Sequence, residues 1–199
     1  MFEFVFGGAM EKINLRERIL FTAMRLFYNQ GIKSTGVNQI IAESNVAKAS
    51  FYKYFPSKRD LVRECLLEYD NYIKKKMVSI VLDSYSFSSF IKKWNAAIKE
   101  DFQIRYRGCP IAEACFHLDT EDPEMMEILK EIVDGWINLV MQFLQKMIKN
   151  GKLPSDIDVE QVSRRMVHLY EGAATMWRIT NDERYIDDLE YLMSRMLEA

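Results

Sequence analysis

The sequence predicts an all-α protein: an N-terminal three-helix head built on a helix-turn-helix, followed by a longer helical body. Three observations lead there. The 199 residues hold only eight Gly and four Pro, and the stretches between them repeat apolar side chains at three- and four-residue spacing. No stretch alternates apolar and polar residues over a useful strand length, and no internal repeat is visible. Near the start, residues 36–55 read as two brief helices on either side of a tight corner.

The bulk composition excludes several classes. Hydrophobic residues make up 49% and charged residues 28%, as in an ordinary globular protein. No apolar run approaches the roughly 18 residues that cross a bilayer, so no membrane association is expected. Met1 to Gly8 is apolar but short, lacks a basic start and carries Glu3; it is read as part of an N-terminal arm, not a signal peptide. Cys65, Cys109 and Cys115 are an odd set without metal-ligand spacing. Neither a metal nor a cofactor is expected, and a reducing cytoplasmic compartment fits. The charge is uneven: residues 1–60 carry nine Lys and Arg against five Asp and Glu, a net of +4, and the remainder nets -6. A basic front on an acidic body suits a nucleic-acid-binding head on a body that does not bind nucleic acid.

The first helix is expected from about Asn14 to Asn29. Ile19, Leu20, Ala23, Leu26 and Phe27 share one face of it, and Gly31 stops it. The second covers about Val37 to Ser44, with Ser34 or Thr35 as its cap. The third is short, about Lys48 to Tyr54. Pro56 breaks the chain, and Ser57 with Asp60 three residues on starts a fourth helix that runs to about Ser79. Further helices are placed near Ser88–Arg105, Pro110–Phe116, Pro123–Asn150, Val159–Thr180 and Ile186–Leu197. Pro123 sits where a missing N–H costs little, and Asn150-Gly151 closes the long seventh helix. The chain therefore divides into an arm (1–13), a head (14–60) and a body (61–199).

The segment Val37 to Tyr52 carries the chemistry. Asn45 falls at the corner, where a left-handed backbone is needed and Asn is the best choice after Gly. Ile40, Val46, Phe51 and Phe55 form a small core with the first helix. That leaves Lys48, Ala49, Ser50, Tyr52, Lys53 and Tyr54 facing outward. Small residues at the start of the third helix let its backbone approach base edges, and the following hydroxyls and ammonium groups reach phosphates, which suits the major groove. A plain helical hairpin does not account for two outward tyrosines beside two lysines on so short a helix.

Residues 14–62 resemble the DNA-binding domain of the TetR family of bacterial regulators. The likeness rests on Leu26-Phe27 and Gly31, on Thr35-Gly36-Val37, on the run Ser44 to Phe55, and on Pro56-Ser57-Lys58 with Leu61. It implies that Tyr52, Lys58 and the Thr35 hydroxyl contact phosphates, that Lys48, Ala49 and Ser50 read bases, and that Tyr54 touches backbone or a thymine methyl. Gln39 and Lys53 are assigned to the same DNA-facing surface. Two positions depart from the family pattern. Ser44-Asn45 stands where Ala-Gly is usual, and Ala47 stands where a Ser or Thr often caps the recognition helix, a loss of about 1 kcal/mol.

For the body the resemblance covers only length and helix order. It implies a homodimer on a palindromic operator, paired through the last two long helices. The residues placed there are Val162, Met166, Leu169, Ala173, Ala174, Met176 and Trp177, with Leu189, Leu192, Met193 and Met196. From the pattern alone, packing inside one chain accounts for these faces equally well. Trp94, Phe102, Tyr106, Phe116, Trp136, Met141, Phe143 and Met147 are read either as ordinary core or as the lining of an apolar pocket. The resemblance implies that a small apolar or aromatic inducer binds among them and releases a repressor from DNA. Arg107-Gly108-Cys109-Pro110-Ile111 is similar to a run found at the start of the sixth helix in many relatives. Cys109 is thus either a buried structural residue or a thiol sensor of oxidants or electrophiles on the same scaffold. A small helical enzyme or lipid-binding bundle is the remaining alternative. It lacks support: there is no HExxH, no paired Glu-x-x-His, no Gly-rich phosphate loop, and neither His117 nor His168 has a motif-placed partner.

Overall fold

The computed structural model describes residues 13–104, 108–118 and 122–197, apart from the side chains of 102–104 and 117. The arm up to residue 12, Tyr106, Arg107 and the side chains of Phe102 and His117 lie outside the described residues. All regular structure described is helical: α1 (Leu15–Gln30), α2 (Val37–Ser44), α3 (Lys48–Tyr54), α4 (Lys58–Asp83), α5 (Phe87–Ile104), α6 (Pro110–His117), α7 (Pro123–Lys149), α8 (Val159–Thr180) and α9 (Arg184–Ser194), with a closing 3-10 turn Arg195–Leu197. Among these residues no helix is long and apolar enough to cross a membrane.

Two compact units are present, one drawn from Met1–Asp70 and Pro110–Leu129, the other from Asn71–Cys109 and Lys130–Ala199. The divisions fall inside α4 and α7, so each of these helices belongs to both units.

In the first unit α1 begins at Asn14, whose side chain accepts from the Glu17 N–H while Glu17 reaches back to the Asn14 N–H, a reciprocal cap. It ends at Gly31, whose φ of 85° is open to glycine and strained for any other residue. Ile19, Leu20, Ala23 and Phe27 meet Ile40, Phe51, Phe55 and Leu61 in the buried core of this unit. Val46, expected in that core, is half-exposed. The Phe51 and Phe55 rings lie 6.2 Å apart. Burying each contributes roughly 2–3 kcal/mol, enough to hold a seven-residue helix that is too short to form alone.

The second unit buries Phe90, Ile91 and Trp94 of α5, Val140, Phe143, Leu144 and Met147 of α7, Met166, Ala174 and Trp177 of α8, and Leu189 and Met193 of α9. Phe90 stacks on Phe143 at 4.2 Å between ring centroids. α9 packs along both α8 and α5.

Three local expectations are corrected. The cap of α2 is neither Ser34 nor Thr35 but Gly36, without a side-chain bond, because the Thr35 hydroxyl donates to the Gly31 carbonyl at 2.8 Å. α4 runs four residues past Ser79, since nothing interrupts it before Ser84, whose hydroxyl turns back to the Ile80 carbonyl. α9 starts at Arg184 rather than Ile186 and tightens into a 3-10 turn at its end.

Candidate nucleic-acid interface

The corner between α2 and α3 is built as the residues dictate. Asn45 takes the left-handed conformation, φ 51° and ψ 51°, and its N–H closes back on Ala42 at 3.2 Å. Ala47 starts α3 with no side-chain cap. Arg18, from α1, covers the exposed end of α2 by donating to the carbonyls of Ser44 and Asn45 at 2.7 and 3.0 Å. These are orphan acceptors of a helix end, where a cation is favoured. Nothing in the sequence pattern marks Arg18 for this role; it pairs across 26 residues.

A second brace ties α1 to α2. Gln30 donates to Gln39 at 2.7 Å, Gln39 donates to Glu43 at 2.9 Å, and Arg25 pairs with Glu43. The Arg25 hydrogen bond, helped by Gln39, holds the Glu43 carboxyl below its ordinary pKa. The head is thus braced by polar contacts on its rim and by Phe51 and Phe55 beneath.

On this support α3 presents one short, largely exposed surface. Lys48, Ala49, Tyr52, Lys53 and Tyr54 are exposed and Ser50 is half-exposed. The Lys53 ammonium lies 5.8 Å from the Tyr54 ring centroid. Lys58 opens α4 after the Ser57 cap, whose Oγ accepts from the Asp60 N–H at 3.1 Å. Partial burial lowers the Lys58 pKa. Two expected DNA-facing residues stand differently. Thr35 is 0% exposed, its hydroxyl spent on Gly31, so it has no free group for a phosphate. Gln39 is half-exposed and engaged in the α1–α2 brace.

The body residues divide in the same way. Val162, Met166, Ala173, Ala174, Trp177, Leu189 and Met193 are buried within the one chain, between α8, α9 and their neighbours, so they form intrachain core rather than a surface for a second copy. Leu169 and Met196 are half-exposed, and Met176 and Leu192 are exposed. Of the pocket set, Trp94, Trp136, Phe143 and Met147 are buried and Met141 is half-exposed. Tyr170 joins them, its ring 6.3 Å from Trp94 and 6.5 Å from Trp136. Phe116 is 79% exposed on α6, because the apolar face of that short helix is Ile111 and Ala114. Cys109 is buried and Cys115 exposed. The Cys109 thiol hydrogen-bonds to Glu171, whose carboxyl is pushed up to about 7 by burial, with the thiol pulling the other way.

A basic, tyrosine-bearing helix docked on a left-handed corner and followed by a capped lysine defines a helix-turn-helix DNA-binding protein. Comparison with known proteins agrees. Residues 19–65 match the model of bacterial regulatory proteins of the tetR family, and residues 87–191 match the tetracyclin repressor-like C-terminal domain. Among its relatives are the HTH-type transcriptional regulators YxaF and LmrA of Bacillus subtilis. The first is 28% identical over 85% of this chain and 87% of its own length, the second 30% identical over 66% and 71%. A crystal structure of the regulatory protein TetR from Rhodobacter sphaeroides shares the fold, with a TM-score of 0.82 at 18% identity over 92% of this chain and 98% of its own. The chain belongs to the TetR family, and it is a DNA-binding transcriptional regulator.

Proposed function

We propose that the protein is a homodimeric repressor that occupies a palindromic operator and leaves it when a small apolar or aromatic ligand binds the body. The surface of α3 carries this reading: Lys48, Ala49 and Ser50 enter the major groove while Tyr52, Lys53, Tyr54 and Lys58 flank it on phosphates. One such helix is a weak reader, and two half-sites need two heads. A protein seated over a promoter excludes other proteins from it, which favours repression. The chromosome it reads lies in the bacterial cytoplasm.

The dimer is assigned to the outward face of the last two helices, Leu169, Gly172, Met176 and Ile179 of α8 with Leu192 of α9 and Met196 of the 3-10 turn that follows it. Ile179 is 71% exposed, and apart from the adjoining backbone of α8 no atom of the described residues lies within 4 Å of where a Gly172 Cβ would stand, which leaves room for a partner helix. The aromatic set Phe90, Trp94, Trp136, Phe143 and Tyr170 favours an apolar or aromatic inducer. Buried Asn95, whose Oδ1 has no hydrogen-bond partner among the described residues, favours one that carries a donor group.

Titrating duplex DNA with the protein at rising salt tests the reading. The logarithm of affinity should fall linearly with the logarithm of salt, by about 0.9 per neutralised phosphate. Absence of any DNA binding at about 50 mM salt, where phosphate contacts are strong, overturns it.

A further inference from the structure

We propose that Arg59 is a positioning residue for DNA binding, clamped by Asp122 and Glu124 so that the N-terminus of α7 sets the place of the N-terminus of α4. The inference rests on the assignment of Lys58 to a phosphate. It goes beyond that assignment by naming what holds Lys58 and the recognition helix in register.

The Arg59 Nε donates to Asp122 Oδ2 at 2.7 Å, and its Nη2 donates to Asp122 Oδ1 at 2.9 Å and to Glu124 Oε2 at 2.7 Å. A planar fork on two carboxylates fixes direction as well as distance, which a point charge does not. Asp122 is itself immobilised, because its Oδ1 accepts from the Met125 N–H at 3.1 Å and so caps α7. The Arg59 bonds are the main reason its carboxyl is held down to about 2, so the clamp stays charged at any physiological pH.

The other end of the clamp is as tightly placed. Arg59 follows Lys58 directly, and only Phe55, Pro56 and Ser57 separate α3 from α4. Phe55 is buried against Phe51, so a shift of the start of α4 drags the recognition helix with it. Residue 59 pairs across 63 positions with the cap of α7, inside the same compact unit. Through Arg59 the start of α7 helps to place the DNA-reading surface.

The test is a double-mutant cycle on full-length protein, using the duplex recovered by wild-type selection from random DNA as probe. Arg59→Gln removes the fork. Asp122→Asn with Glu124→Gln removes the acids but keeps a good cap on α7. Each is expected to weaken binding roughly threefold per head, about tenfold for two heads on two half-sites. The combined variant should be no weaker than either, and thermal midpoint and salt slope should match wild type. Additive losses, or no loss from either change while Lys58→Ala still weakens binding, overturn the clamp and leave the DNA reading intact. Tighter binding with a steeper salt slope after removal of the acids also overturns it, since Arg59 is then a phosphate ligand that the acids mask. Wild-type protein that binds no duplex at all defeats the underlying reading instead.

Discussion

Arg18 on α1 donates from its guanidinium to the Ser44 carbonyl at 2.7 Å, so the corner of the helix-turn-helix is held from a third helix outside it. A charged donor on a helix-end carbonyl contributes roughly 1.5–3 kcal/mol where it is shielded, and less where it is partly wet as here. Arg18→Ala should therefore lower stability by about 1–2 kcal/mol in urea unfolding, and it should reduce specific DNA binding more than non-specific binding. Unchanged stability and specificity would mean that Asn45 and the Phe51 packing hold the corner unaided.

Lys58 and the start of α3 should separate by role. Lys58→Ala is expected to weaken binding evenly across sequences and to reduce the salt slope by about 0.9. Lys48→Ala and Ser50→Ala should instead relax preference at particular bases, by roughly 1–3 kcal/mol where a bidentate contact is lost. Specificity profiles from random-duplex binding check this; three identical profiles would put another face of α3 in the groove.

Much of this architecture was legible because it is punctuated. Gly31, Asn45, Pro56 and Asn150-Gly151 stop helices through local backbone chemistry, and local chemistry is readable from a short window. Side-chain destinations are not. Thr35 has the right residue type for a phosphate contact, yet its hydroxyl satisfies the Gly31 carbonyl four residues back. The apolar stripes of α8 and α9 were visible, but periodicity does not say whether a stripe meets its own chain or a second copy. Val162, Met166, Leu189 and Met193 meet their own chain. Arg18, Arg59 and Glu171 act through partners far away in sequence, or through burial, and a one-dimensional pattern carries neither.

Gly172 separates folding from pairing. Apart from the adjoining backbone of its own helix, no atom of the described residues lies within 4 Å of the place a methyl at this position would occupy, so Gly172→Ala should fold normally. It should gain up to about 1 kcal/mol of helix propensity. Gly172→Arg should fold in the monomer but place a charge where a partner helix approaches, which costs several kcal/mol if it is buried unpaired. Light scattering should show a dimer for the first variant and a monomer for the second. A dimer in both would move the interface off this face.

Glu171 makes stability depend on pH. In the folded chain its carboxyl keeps the proton to about 7, against an ordinary value of 4.5 when unfolded. Between those values the folded state binds more protons, so stability falls as pH rises, and above about 7 the full penalty is in place, up to about 3 kcal/mol. Glu171→Gln should flatten this part of the profile and be the more stable protein at pH 8. Parallel profiles for the two proteins in unfolding measured from pH 4 to pH 8 would contradict the burial of that charge.

The most direct measurement of the central claim is selection of bound duplexes from a random pool by the wild-type protein, followed by sequencing. Two heads related by a two-fold axis should enrich an inverted repeat whose half-sites lie about one helical turn, or a multiple of it, apart. Enrichment should disappear when Lys48 and Ser50 are both changed to alanine. Recovery of no shared sequence, or of one that survives that double change, would contradict recognition of an operator by α3.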